Sequence, residues 1–572
     1  MASNDQTMLD SPINGTLPVA PEAGRQAVRP APDATHTSLF DQLATRISAK
    51  WWALWLVGFG IFSMLMPRDA SYDVVHYHLF NGWSALNGEG AENLAPAEMH
   101  SFLNPVWQIF VWLLIDLLPG RGVAFILGVL QGLGLPILYA LTRRVLLRTR
   151  AQPAMITVMA IAVAGFSAEG QFGMIATVRN DAVFAILLLG ALALIIPDDR
   201  PTPTLTTWAT ASFLVGAIMG IKLTTAVYGV FFATTAIIIM PDWQTRLRAG
   251  AVCAVAGLGG LLLFALPWGL AMWDAFGNPI FPNLNAYFDA PLGPDTAFRD
   301  TRNLPHGLTE ALLRPFLIFF DGGLINGARE HFVDPRLQIS YLFCFAVPIT
   351  LLFGKGSNRP GLRTALALSA GTFLSITAWT LMFSFSRYMA AAWFIGPTLL
   401  ALFIALLEPK WLSDKRAPVA ALIAAGILFF ITEPFSNRRV PWTSWTERYV
   451  EATLPDDTDY SNAIIAFSGS YPSAYLAPYF PDTALLTHLV PAPWSTPALA
   501  NYRVQIRAAI HAGDRPLYIV AVDGEGHLEE TIERLRQIES IEVAASTCTA
   551  IETPFATPEM GWKICPATVL PQ

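Results

Sequence analysis

The stretch WWALWLVGFGIFSML, residues 51–65, carries no charged side chain and decides the fold class. A run of this kind approaches the roughly 20 apolar residues that one helix needs to cross a bilayer. Counting this first run, near 51–66, the sequence holds eleven candidate spans. The other ten lie near 121–142, 153–170, 181–197, 205–221, 223–240, 249–272, 339–354, 363–383, 389–407 and 417–433. The sequence therefore predicts an α-helical polytopic membrane protein whose lateral neighbours are membrane lipids.

Composition agrees with this class. Of the 572 residues, 53% are hydrophobic and only 14% are charged, whereas about 25% are charged in an ordinary soluble domain. The formal net charge is −7, and no basic domain is present to neutralise phosphates. A nucleic-acid partner is therefore excluded.

Three regions differ in composition. Residues 1–45 are rich in Pro, Ala, Thr and Asp without apolar periodicity, which predicts a disordered tail. Residues 46–433 form the membrane domain, with two long segments outside the membrane at 67–120 and 273–338. Residues 434–572 alternate short strands such as AIIAF and PLYIVAV with helical patterns such as HLEETIERLRQI. This alternation predicts a small soluble α/β domain.

Basic residues set the expected orientation, because short cytoplasmic loops retain Lys and Arg. The clusters all fall on one side if eleven spans are counted and NPVWQIFVWLLIDLLPG (104–120) is an interfacial helix. They comprise Arg46, Lys50, Arg143, Arg144, Arg148, Arg150, Arg246, Arg248, Lys355, Arg359, Arg363, Lys410, Lys415 and Arg416. The N-terminus is then cytoplasmic and the C-terminal domain lies outside.

The four cysteines fit that orientation. Cys253 and Cys344 lie inside apolar runs and are expected to pack as small apolar side chains. Cys548 and Cys565 close the C-terminal domain, where a disulfide is expected in an oxidising compartment such as a bacterial periplasm. The alternative is two free thiols. In the chain-entropy estimate, a bridge over a loop of this length stabilises by roughly 3 kcal/mol.

The decapeptide SYDVVHYHLF, residues 71–80, directly follows the first span. In an α-helix, Asp73, His76, Tyr77 and Phe80 share one face and His78 points elsewhere. A carboxylate beside an imidazole is suited to acid–base chemistry or metal binding. The alternative is an interfacial belt of aromatic side chains in which Asp73 caps a helix.

Six segments in this order resemble the GT-C superfamily of polytopic glycosyltransferases, in particular the bacterial protein mannosyltransferase and aminoarabinose transferase group. They are YDVVHYHLFNGWSALNG, MHSFLNPVWQIFVWLLIDLLPGR, ATVRNDAVFAILLLGAL, GAIMGIKLTTAVYG, FGNPIFPNLNAYF and SFSRYMAAAWFIGP, and they span about residues 51–410. The chain departs from the group in having Val74 after Asp73 in place of a second acidic residue, and FLNPVW in place of a His-Pro-Pro signature.

The resemblance implies a hexosyl- or pentosyltransferase that takes a sugar from a polyprenyl phosphate carrier. The acceptor is a glycan, a lipid or a protein at the outer face of a bacterial inner membrane. Asp73 matches the position of the catalytic base, with His76 orienting it, while Arg387 and Lys222 are candidates to hold the carrier phosphate. Further candidates for substrate contacts are His78, Glu98, His100, Arg179, Asp181 and Tyr388.

Each candidate has a structural alternative. Arg179 and Asp181 can anchor a helix end at the interface, and Lys222 can extend its ammonium to the membrane surface. The cofactor stays open, since a divalent metal is compatible with these residues and not required by them. Two other functions remain: a transporter or flippase for a lipid-linked sugar, and a membrane-anchored sensory or binding protein. The transporter is disfavoured because the sequence has no internal symmetry.

Overall fold

The computed structural model describes residues 49–571 except 89–92, 169–172, 197–202, 297, 322–323, 325–333, 353–359, 433–441, 470, 491–495 and 556–560. The expected tail at 1–45 lies outside the described residues. So do Glu433, at the expected domain boundary, and the basic residues Lys355 and Arg359.

Helices dominate the first three quarters of the chain. They are α1 Ala49–Leu65, α2 Leu79–Asn87, α3 Val106–Leu117, α4 Gly120–Gly132, α5 Gly134–Leu147, α6 Met155–Phe166, α7 Asp181–Ile195, α8 Leu205–Ile221, α9 Ala226–Ile239, α10 Trp243–Phe276, α11 Asn285–Phe288, α12 Leu308–Phe320, α13 Arg336–Leu352, α14 Leu362–Met382, α15 Ala390–Leu407, α16 Pro409–Ser413 and α17 Ala417–Thr432.

Every predicted span coincides with one of these helices, or with the consecutive pair α4 and α5. Within the described residues, four helical stretches are long and apolar enough to cross a membrane: Gly120–Leu147, Trp243–Phe276, Leu362–Met382 and Ser386–Leu407. The other apolar helices are shorter, with 10–17 residues each. The predicted fold class, a helical membrane domain followed by an α/β domain, is confirmed.

Helix α3 covers most of residues 104–120. Its 12 residues rise about 18 Å, short of a hydrocarbon core of about 30 Å. Helix α6, which coincides with a predicted span, also has 12 residues, so the interfacial placement of α3 stays a prediction.

Small residues set the closest helix packing in this domain. A Cβ atom added to Gly216 or Gly220 of α8 would collide with backbone oxygens of α10, and one added to Gly260 of α10 would collide with the backbone of α8. Glycine at these positions lets the two backbones approach each other, as is usual between helices in membranes. Helix α10 keeps most of its surface exposed and apolar.

The C-terminal domain is built on one mixed sheet. Its strands are β3 Ile464–Ser468, β4 Leu485–Leu489, β5 Leu517–Asp523, β6 Ile541–Val543, β7 Thr549–Ile551 and β8 Gly561–Val569, with helices α18 Tyr502–His511 and α19 His527–Glu539. The strand order is β4-β3-β5-β8-β6, with β7 paired to β8. Strands β4, β3 and β5 are parallel, and the β8 pairs are antiparallel. A disulfide joins Cys548 to Cys565.

Two contacts join this domain to the segment after α1. Residues Arg68–Asp69 (β1) pair with Trp442–Thr443 (β2). The Leu94 amide donates to the Leu486 carbonyl at 2.8 Å, and the Leu486 amide donates to Asn93 Oδ1 at 2.9 Å. Residues 93–94 therefore cover the edge of β4, which would otherwise leave backbone groups unpaired.

Candidate functional site

Four charged side chains from distant parts of the sequence form one continuous chain of ion pairs. Asp73 pairs with the Arg387 guanidinium, whose Nε lies 3.9 Å from Asp181 Oδ2. The Lys222 ammonium lies 2.5 Å from Asp181 Oδ1. Signs alternate along this chain, so each charge has at least one opposite neighbour. We call Asp73, Arg387, Asp181 and Lys222 the charge chain.

Each member of the charge chain lies where a helix begins or ends. Asp73 immediately precedes a π-helix, Val74–His78, and Asp181 is the first residue of α7. Lys222 directly follows the last residue of α8. Arg387 lies in the 3-10 turn Ser386–Met389 that leads into α15. These helix ends therefore meet on one side of the helical domain.

Tyr388 and Asn180 complete this group. The Lys222 ammonium lies 5.0 Å from the centre of the Tyr388 ring, and the Arg387 guanidinium carbon lies 5.3 Å from it. Both distances allow a cation–π attraction. Lys222 also donates to Asn180 Oδ1 at 3.1 Å. Of the predicted site residues, the structure thus brings together Asp73, Asp181, Lys222, Arg387 and Tyr388.

The Asp73 carboxylate does not cap the helix that follows it, because no side-chain capping hydrogen bond is present. This finding removes the helix-cap alternative. Burial by itself would raise the pKa of Asp73, but the Arg387 guanidinium, with smaller contributions from His78 and Arg179, holds that pKa below its ordinary value. Asp73 is therefore an ionised carboxylate at neutral pH.

The helix that carries the histidines differs from the expected one. Residues Val74–His78 form a π-helix and not an α-helix, and such turns are frequent at functional sites. Burial lowers the pKa of His78, and the Asp73 carboxylate opposes this by raising it. A π turn takes one more residue than an α turn, so the α-helical spacing does not say which side chains share a face over residues 74–78. His78 Nδ1 lies 3.2 Å from Gln108 Nε2.

A second group of imidazoles lies beside the charge chain. The rings of His76 and His100 have their centres 5.1 Å apart, and His100 stacks on Tyr77 at 4.9 Å. His488, from strand β4, lies 6.4 Å from the His76 ring, and its Nε2 is 3.7 Å from Glu98 Oε1. The structure therefore places His76, Glu98 and His100 together, as a neighbour of the charge chain and not as part of it.

These imidazoles are buried and neutral. Burial lowers the pKa of His78 to about 3, that of His100 to about 4 and that of His488 to about 3. Burial, together with His100 and His488, lowers the pKa of His76 well below its ordinary value. Neither ring nitrogen of His76 has a hydrogen-bond partner among the described residues. His76 thus adds a polar but uncharged wall next to Asp73.

Arg179 pairs with Asp69 and not with a member of the charge chain. Its Nε lies 3.3 Å from Asp69 Oδ2, and its Nη2 donates to the Gly173 carbonyl at 3.3 Å. Asp69 belongs to β1, so Arg179 links the segment before α7 to the strand pair β1–β2. The predicted substrate contact of Arg179 stays a prediction.

Sequence reasoning missed His488, Asp69 and Asn180. Asn180 precedes Asp181 in the quoted motif TVRND, so its position was available. His488 lies in the strand LLTHL, where its only signal is one imidazole inside an apolar run. No group of three or more His, Cys, Asp or Glu side chains within the described part of the chain has the geometry to hold a metal ion.

The charge chain can bind an anion and accept a proton at neighbouring positions. Two cations, Arg387 and Lys222, flank Asp181 and lie at the ends of apolar helices, where an anionic headgroup with an apolar tail would sit. Asp73 contacts one of these cations and stays ionised, so it can act as a base. The arrangement fits transfer chemistry on a lipid phosphate.

No family model matches the chain, and no curated protein does. Two solved structures do, both of ArnT from Cupriavidus metallidurans. The structure in the apo state has a TM-score of 0.46 and the one bound to undecaprenyl phosphate has a TM-score of 0.41; in both, 14% of the residues are identical and the match covers 90% of this chain and 98% of that chain. Such similarity does not assign a substrate to this chain.

Proposed function

We propose that this protein is a GT-C-type glycosyltransferase of a bacterial inner membrane. It moves a hexose or pentose from a polyprenyl-phosphate-type carrier to a glycan, lipid or protein acceptor at the periplasmic face. The observation that carries the proposal is the charge chain, in which two carboxylates and two cations from four distant helix ends converge beside an apolar helical domain.

The reaction follows from the chemistry of these groups. The acceptor hydroxyl gives its proton to a carboxylate oxygen of Asp73 while its oxygen attacks the anomeric carbon of the sugar. The bond between that carbon and the carrier phosphate oxygen breaks, and both bonding electrons leave with the phosphate. Negative charge therefore develops on the phosphate oxygen, where Arg387 and Lys222 stabilise it.

Binding of the carrier phosphate also changes the partner of Arg387. In the structure this guanidinium pairs with Asp73, so a phosphate that attracts Arg387 loosens its hold on the base. The carboxylate then takes up a proton more readily, because the charge that lowers its pKa has a new partner. Donor binding and activation of Asp73 are thereby linked.

The proposed orientation puts the charge chain and residues 434–572 in the periplasm and the N-terminus in the cytoplasm. It rests on the Lys and Arg distribution, which the structure does not test. A periplasmic reporter, alkaline phosphatase, fused after Gln572 should be active, and a cytoplasmic reporter at the same position inactive. The opposite pattern would overturn the orientation.

The test of function compares cell-envelope glycans, lipids and proteins by mass spectrometry in cells with and without the gene. Loss of one sugar from an acceptor, with its lipid-linked donor retained and accessible outside the cytoplasm, supports a transferase. A transporter predicts that this donor stays inaccessible, on the cytoplasmic side. No difference in any sugar-bearing molecule would refute both functions.

A further inference from the structure

The C-terminal sheet has a topological switch point that the proposed transfer reaction does not use. After β3 the chain passes through the 3-10 helix Ala474–Tyr479 to β4, the neighbour of β3 on one side. After β5 it passes through α19 to β6, which lies beyond β5 on the opposite side. Neighbouring parallel strands whose connections leave in opposite directions leave an open crevice at their carboxyl ends.

Side-chain packing confirms that the two connections lie on opposite faces of the sheet. Tyr475, from the 3-10 helix, belongs to the same buried cluster as Phe467 of β3. Leu535 of α19 belongs to a different cluster, together with Ala466 of β3. Successive strand residues point to opposite faces. The connection after β3 therefore packs on one face of the sheet, and the connection after β5 packs on the other.

A shallow cleft, open to solvent, lies at this point. Its walls come from the end of β3, the end of β5 and the first two turns of α19. Gly469 follows β3 with φ +96°, and a Cβ atom there would lie 2.8 Å from Thr531 Oγ1. Only glycine lets the backbone turn away here without closing the cleft against α19.

The polar groups in the cleft are mixed in charge and in hydrogen-bonding character. The Tyr471 hydroxyl lies 3.2 Å from His527 Nε2, with the two ring centres 4.7 Å apart. Arg534 and Glu530 bring opposite charges, and Thr531 adds a hydroxyl. A phosphate would meet the Glu530 carboxylate as well as Arg534, which disfavours an anion. A neutral ligand that both donates and accepts hydrogen bonds matches this set.

We infer that the crevice binds a sugar ring, with Tyr471 and His527 as its aromatic wall and Arg534, Glu530 and Thr531 as partners for ring hydroxyls. The inference rests on the proposed function in one respect: the sugar is then part of the acceptor, held outside the reacting centre. Sugar binding in the crevice does not require the transfer reaction. The binding inference and the proposed function can therefore be contradicted independently.

The crevice and the imidazole group share one edge of the sheet. Strands β4 and β3 are parallel and adjacent, with His488 opposite Phe467 in register, so their carboxyl ends lie at one edge, about 5 Å apart. His488 points to the face of Phe467, opposite α19, where it lies 3.7 Å from Glu98.

The test is saturation-transfer NMR on the full-length protein in lipid nanodiscs, with glucose, galactose, mannose, N-acetylglucosamine and arabinose as probes. At least one sugar should give a saturation-transfer signal. Arg534→Ala and Tyr471→Ala should each weaken the binding of that sugar by about tenfold. Arg536→Ala is the matched control, since Arg536 lies exposed on the same helix. It should bind like the unmodified protein.

Asp73→Asn separates this site from the reaction. It should bind the sugar normally, even though we expect it to lose transfer, and thermal unfolding should show that Tyr471→Ala and Arg534→Ala remain folded. The inference is overturned if none of the five sugars gives a saturation-transfer signal. It is also overturned if Arg536→Ala weakens sugar binding as much as Arg534→Ala, or if inorganic phosphate displaces the sugar.

Discussion

Arg336 and Arg387 each pair with an aspartate near the start of an apolar helix, but their surroundings differ. Arg336 and Asp334 are fully buried, at 2.9 Å. The guanidinium of Arg336 also donates to the Ala164 carbonyl at 2.6 Å and to Ser167 Oγ at 2.9 Å. Arg387 is 23% exposed and its Nε has no hydrogen-bond partner among the described residues.

The difference is in the hydrogen-bonding capacity that each pair leaves for a ligand. All three guanidinium nitrogens of Arg336 have fixed acceptors. Arg387 keeps an unsatisfied donor and partial exposure next to a second carboxylate, Asp181. A buried polar group without a partner in a native structure requires an explanation, and the proposed carrier phosphate would supply one.

Removing each arginine tests this contrast most strongly. Arg336→Ala leaves Asp334 charged and buried without its partner, which costs about 3–5 kcal/mol of stability. Arg387→Ala should cost less, because Lys222 still neutralises Asp181 and water reaches Asp73. Thermal unfolding in detergent, followed by size-exclusion chromatography, measures both. Equal stability losses would mean that the two pairs have the same structural role.

The next effect is on activity. Asp73→Asn keeps the shape of the side chain and removes the base, so transfer should fall by about 100-fold or more while the protein remains folded. Asp116→Asn is a matched control at an exposed position near the end of α3. It should transfer sugar normally. If Asp73→Asn is fully active, Asp73 has an anchoring role, and Glu98 is the next candidate for the base.

These two residues also show what the sequence can and cannot predict. Hydropathy locates the helices, because the period and length of apolar runs are local properties. Asp73 and Arg387 were singled out by their places in the segments that resemble the GT-C superfamily, YDVVHYHLFNGWSALNG and SFSRYMAAAWFIGP. Their ion pair joins positions 314 residues apart, and no local pattern encodes which helix ends meet.

His488 and the π-helix were missed for two further reasons. His488 lies beside His76 because the edge of β4 packs against residues 93–94, which depends on contacts between distant parts of the chain. The π-helix takes one more residue per turn than an α-helix, so the spacing rules for an α-helix do not apply to residues 74–78. In both places tertiary structure overrides a local preference.

A smaller effect is expected on substrate affinity. Arg387→Ala removes one charged contact to the carrier phosphate, so the apparent KM for the lipid-linked donor should rise by about tenfold. Arg121→Ala is the control, because Arg121 is exposed and, within the described part of the chain, its side chain donates to the Met64 carbonyl alone. A fall in kcat with an unchanged KM would instead place Arg387 in stabilising the transition state alone.

The smallest effect concerns pH. Burial raises and Arg387 lowers the pKa of Asp73, and the net result lies below the ordinary value of 3.8. An acid with a lowered pKa stabilises the fold above its unfolded pKa and loses that contribution as the pH falls through its folded pKa. In Arg387→Ala the guanidinium no longer lowers the pKa of Asp73, while burial still raises it. The acid limb of the pH profile of kcat/KM should therefore move to higher pH. Arg121→Ala should leave the limb unchanged. An unshifted limb in Arg387→Ala would show that the guanidinium does not control the base, and the link between donor binding and activation of Asp73 would fail with it.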